Sequence, residues 1–170
     1  MTVIKIKQQS GVVLMITLLL LILVTIIVIT SLQVTGLQEK MVTNFNNKNL
    51  AYQASEIALR DAEEWLLAQI PAPTIAHARI WALETINPTA TIAGLEWWQA
   101  SWPTANDFEY GDAIPGITSK PNTVIEYRGF VSDSLDFGAT SGRYFYTITS
   151  RGTGGNDQSV VILQSTLARR

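Results

Sequence analysis

Gln8-Gln9-Ser10-Gly11-Val12-Val13-Leu14-Met15-Ile16-Thr17 opens a run that stays almost wholly apolar to Leu32 and carries no charge until Glu39. The 21 residues from Val12 to Leu32 would rise about 31 Å as a helix, at about 1.5 Å each, close to the hydrocarbon thickness of a bilayer. Lys5 and Lys7 precede the run. By the positive-inside rule they place the N-terminus in the cytoplasm and the rest of the chain across the membrane. A secretory signal peptide shares this plan, but its apolar region is shorter, about 7–15 residues, and ends at a small-x-small cleavage site. Ser31 to Gly36, with Gln33 and Val34 inside it, is a poor candidate for such a site. A plain single-pass anchor without processing also fits the run.

The remaining composition narrows the function classes. A net charge of −2 over 170 residues gives no basic footprint for nucleic acid. Cysteine is absent, so a head beyond the membrane is held by packing without disulfides, and thiol catalysis and cysteine-type zinc sites are removed. The single histidine, His77, has no second nitrogen or sulfur ligand in the chain and reads as surface or packing. No local pairing of nucleophile and base emerges, so the chain does not read as an enzyme, and it implies neither a cofactor nor a bound metal.

Beyond the membrane run the helical pattern continues without proline until Pro71. Gly36 is its weak point, at about 1 kcal/mol relative to alanine. Thr25, Thr30, Ser31 and Thr35 can bond back to earlier carbonyls, and Asn44, Asn46, Asn47 and Asn49 are poor helix formers. Phe45, Tyr52, Leu59 and Leu66 recur every seventh residue with Ser55 and Ala62 between them. That row predicts a stripe lying across a sheet. Glu56 with Arg60, and Arg60 with Glu64, form i,i+4 pairs on the solvated side. Pro71 and Pro73 end the helix.

From 71 to 122 the pattern is weaker. Thr74 to Glu84 suggests a second short helix capped by Thr74 and broken at Asn87-Pro88. Glu96-Trp97-Trp98-Gln99-Ala100-Ser101-Trp102-Pro103 concentrates indoles, with Trp65 and Trp81 elsewhere. It reads as core ballast in a loop-rich head, as a contact surface for a partner, or more distantly as a sugar platform. Asp107, Glu109 and Asp112 read as a solvated acidic loop, lacking the ligand spacing of a calcium loop.

Thr123–Val131, Arg143–Arg151 and Ser159–Thr166 read as strands, with Tyr144, Tyr146 and Ile148 on one face. Ser132 to Gly142 joins the first two. Gly152 to Asp157 is turn chemistry rather than a phosphate cradle, because no lysine-serine pair follows and a strand comes next. The expected fold class is α+β: a long N-terminal helix laid on an antiparallel C-terminal sheet of three or four strands.

Several segments together resemble the PilX family of type IV pilin-like minor pilins. They are Gly11 followed directly by the apolar helix; Leu37-Gln38-Glu39-Lys40-Met41 with Asn49 to Arg60; and Ser150 to Asn156 with Val160 to Ser165. The likeness covers both ends and leaves about residues 70–120 weakly supported. It implies a prepilin leader at 1–11, cut after Gly11 by prepilin peptidase on the cytoplasmic side, with methylation of Val12. It further implies a transmembrane segment at 12–35, an amphipathic half at 36–70 and a periplasmic head at 71–170. The implied function is a minor pilin that primes pilus growth in a tip complex with PilV-, PilW- and FimU-like minor pilins, and that can carry a PilY-type adhesin. Trp97, Trp98 and Trp102 are then candidate partner contacts. Pilins usually carry glutamate at the fifth mature position, to neutralise the amine of a subunit already assembled. Here that position is Ile16, which marks this subunit for the tip, where no earlier amine awaits it. A GspK-like pseudopilin of type II secretion and an unprocessed anchored binding module using the tryptophan loop remain alternatives. The short middle region argues against the pseudopilin.

Overall fold

The computed structural model describes residues 10–86, 96–100, 102–103, 107–134 and 141–170. Lys5 and Lys7, the Asn87-Pro88 break, Ser101 and Gly138 lie outside them. The chain divides into two units, Met1–Asn44 and Phe45–Arg170. One helix, α1 (Ser10–Ala68), enters both.

In the first unit the helix is unbroken at Gly36, the expected weak point. A local loss of about 1 kcal/mol does not interrupt a long cooperative helix. The threonine hydroxyls are satisfied within it. Thr25 donates to Ile22 O at 2.8 Å, Thr30 to Ile26 O and Ile27 O, and Thr35 to Ser31 O at 3.0 Å.

In the second unit the helix buries a row of small residues, Ala51, Ala54, Ser55, Ala58 and Ala62, flanked by Leu59 and Leu66. The expected stripe is corrected here. Leu59 and Leu66 are in the core, but Phe45 and Tyr52 are 70% and 50% exposed. A strict seven-residue row drifts about 20° per heptad around a straight helix, so its first two members leave the buried face. Glu56 and Arg60 pair at 2.9 Å on the solvated side. The helix ends at Ala68, before Pro71.

Among the described residues the sheet has five strands, in the order β1-β3-β4-β5 with β2 also on β3. The strands are β1 (Ile80–Ala82), β2 (Phe108–Glu109), β3 (Asn122–Ser132), β4 (Gly142–Thr153) and β5 (Val160–Arg169). The last three are long antiparallel neighbours. The expected helix over Thr74–Glu84 is absent: turns lead to β1, which pairs parallel with β3, Ile80 opposite Ile125. Burying Ile80 in the core outweighs the weak local helical preference. The sheet is therefore mixed.

Ile125, Tyr146 and Ile148 meet Leu59, Ala62, Leu66 and Ile80 in the core. A bulge between Tyr127 and Gly129, with Gly129 at φ +146°, shifts the alternation. Phe130 consequently joins Tyr144 on the helix-facing side, their rings 4.9 Å apart. Tyr146 donates to Pro73 O at 2.7 Å. Burial pushes its hydroxyl up to about 12, against the nearby Arg169 charge, so it stays a donor at any ordinary pH. Arg169 donates to the Leu66 carbonyl in the last turn of α1, and Glu63 accepts from Ser165 at 2.6 Å.

The end of β4 and the turn after it touch the helix backbone to backbone. A Cβ on Gly152 would overlap Ala51 O and Ser55 N, and one on Gly154 would overlap Asn47 O. Glycine is required there for close approach. Beside it Ser55 Oγ and Ser150 Oγ are 2.6 Å apart, both buried.

Candidate assembly site

Gly11, Val12 and Ile16 sit near the start of α1, all exposed. Among the described residues, apart from its chain neighbours and the helix backbone, nothing lies within 4 Å of where a Gly11 Cβ would stand. Every residue from Val12 to Leu32 is exposed in the protomer. An 18-residue window of this helix has a mean hydropathy of 3.5, and α1 is long and apolar enough to cross a membrane. With the threonine hydroxyls bonded internally, the segment offers an apolar environment few unsatisfied donors.

The tryptophan segment has a different setting. Ile125 and Ile148 face α1, so their strand neighbours Val124, Glu126, Thr147 and Thr149 project to the opposite face. All four are buried. Trp81 is the register partner of Glu126 and shares that face. Trp97, in the short helix α2 (Trp97–Ala100), donates its indole N–H to Glu126 Oε2 at 3.2 Å. Trp98 and Trp102 each lie 5.3 Å from Trp97, ring centre to ring centre. The indoles therefore gather on the sheet face turned away from the helix. Trp97 is 6% exposed and serves that packing rather than a contact surface; Trp98 and Trp102 are half-buried.

Glu126 is the residue that sequence reasoning missed. Burial pushes its carboxyl up; hydrogen bonds from Trp97 and the Glu84 amide, and the Arg128 charge, oppose this, while Glu96 adds to it. Glu84 holds a left-handed φ of +63°, a conformation disfavoured outside glycine that the buried carboxylate bond offsets. The sequence signal was a carboxylate alternating with Ile125 and Tyr127 in a strand.

His77 is exposed, edge-on to Trp65 at 5.3 Å, and its Nδ1 accepts from the Arg79 amide. The Arg79 guanidinium lies 4.4 Å from the Phe108 ring centre. Asp107 accepts from Asn122, and Glu109 stands 3.8 Å from Lys120. Among the described residues no group of three or more histidine, cysteine or acidic side chains is placed to hold a metal ion.

A long apolar helix whose second half packs on a largely antiparallel sheet defines an α+β, pilin-like subunit. Residues 40–169 match the family described as type IV pilus assembly protein PilX C-term, and residues 10–60 match PilX N-terminal. The chain belongs to the PilX family of type IV pilus assembly proteins, structural components that associate with other parts of the pilus. No curated protein and no solved structure matches it.

Proposed function

We propose that this minor pilin primes type IV pilus growth from the filament tip. Prepilin peptidase cuts after Gly11 and methylates Val12, leaving the helix in the inner membrane with the head in the periplasm. The head then joins PilV-, PilW- and FimU-like minor pilins and presents a PilY-type adhesin. The Val12–Leu32 segment leaves lipid for a bundle of like helices, where packing replaces lipid contacts at little net cost.

The observation that carries the reading is Ile16, an exposed apolar side chain one turn from Val12 in an almost wholly apolar segment. An unpaired ammonium beside it in lipid or a filament core is costly. A subunit that enters first has no earlier amine to neutralise. The family match spanning helix and head supports the pilus setting.

Intact mass and the N-terminal peptide, from membranes with and without prepilin peptidase, test the processing. Loss of residues 1–11 with one methyl on Val12, only when the peptidase is present, is expected. An intact N-terminus in both samples refutes it. Ile16→Glu is expected to leave priming unchanged. A chain that primes only as Ile16→Glu would sink the tip assignment.

A further inference from the structure

At one end of the sheet three strands contribute to a single cross-strand row. Glu109 of β2 is opposite Asn122 of β3, and Asn122 is opposite Arg151 of β4. Register partners project to the same face. That face is turned away from α1, because Ser150, the neighbour of Arg151, bonds to Ser55 of the helix. Ser119, Lys120 and Thr153 complete a cleft of about 270 Å³ around the row.

Several of its polar groups are already satisfied. Lys120 Nζ donates to Gly111 O at 3.0 Å and stands 3.8 Å from Glu109. The Ser119 and Thr153 hydroxyls are 2.8 Å apart. Among the described residues, two groups find no partner. Asp107 Oδ2 takes Asn122 Nδ2 at 2.9 Å, which fixes the amide's orientation. Asn122 Oδ1 is thereby left buried with no donor among the described residues. The half-buried Arg151 side chain has no hydrogen-bond or ion-pair partner among the described residues.

A planar guanidinium fork matches a carboxylate, and a buried carbonyl oxygen calls for an N–H. We propose that this cleft binds a peptide carboxylate, with the acid on Arg151 and an adjacent peptide N–H donating to Asn122 Oδ1. The cleft is smaller than the roughly 300–1,000 Å³ of pockets for whole small-molecule ligands, so it suits one residue-sized group on a larger chain. Glu109 at the end of the row disfavours a dianion such as phosphate. Among the described residues no aromatic ring lines the cleft, which leaves a sugar nothing to stack on. The inference stands whether or not the chain primes pilus growth.

The test is ligand-observed NMR on the full-length protein in detergent micelles. The probes are acetyl-trialanine, its C-terminal amide, an amidated tripeptide with a central glutamate, and glucuronic acid. At least one peptide acid should bind about tenfold or more tightly than the fully amidated trialanine, by analogy with charge-assisted pairs. Binding by the free terminus alone makes the ligand a chain end, and binding by the glutamate peptide alone makes it an acidic side chain. Either outcome supports the site. Arg151→Met should reduce the bound acid to the level of the amide. Arg151→Lys, which keeps the charge but not the fork, should fall between, and it retains the test if the methionine variant does not fold. Asn122→Leu, which also removes the donor to Asp107, should weaken binding while the protein stays folded by circular dichroism. Equal binding of acid and amide, undiminished binding by the arginine variants, preference for glucuronic acid, or no binding of any probe would overturn the proposal.

Discussion

Ser55 and Ser150 illustrate how small the contacts joining helix to sheet are. Each hydroxyl is buried, and the other is its partner. Removing one leaves its partner desolvated and unpaired, so Ser55→Ala or Ser150→Ala should each cost about 1–3 kcal/mol. The double variant should recover much of that loss, because no orphan remains. Urea unfolding of the four proteins measures the coupling, and strictly additive losses would contradict it. Neighbouring Gly152 read as turn chemistry in the sequence, but it lies in β4, opposite Val161, and the turn starts after Thr153. Its actual role, letting β4 approach the helix backbone, was not legible, since a turn and a close approach select the same residue.

For whole elements, the contrast lies within α1. Phe45→Ala and Tyr52→Ala should each leave the stability of the head within about 0.5 kcal/mol of the parent, as exposed positions do. Leu66→Ala should cost about 2–5 kcal/mol, because its side chain is wholly enclosed. Thermal unfolding of the three variants separates the two groups, and a large loss at Phe45 would return it to the core. The helix and β3 to β5 were legible because their periodicities persist over many residues. Strand β1 was not. Three residues give no periodicity to read, and its pairing with β3 is a tertiary choice. The tryptophans were visible as a cluster, but not the face of the sheet they cover, since that requires knowing Glu126 as their partner.

For the molecule as a whole, the buried Glu126 couples folding to pH. Burial raises its pKa above the ordinary 4.5, so the native state keeps this proton to higher pH than the unfolded chain. Its contribution to stability is full below about 4.5 and is lost as pH rises through the native value. Asp61 acts in the same sense: burial raises it first, then Glu64 and Asp112, with Arg79 opposing. The urea midpoint of the head should therefore carry a downward component as pH rises above about 4.5, and Glu126→Gln should flatten that component. An unchanged pH profile in Glu126→Gln would show that the carboxyl is not the source.

The glycine seat also has a mechanical meaning. Where α1 meets the β4 turn, the mating parts are main-chain atoms rather than pliable side chains. Sliding the helix lengthwise would drive Cβ-bearing residues into a slot shaped for hydrogen. A pull along α1 is thus opposed in shear by a keyed joint of main-chain atoms rather than dissipated by slippage.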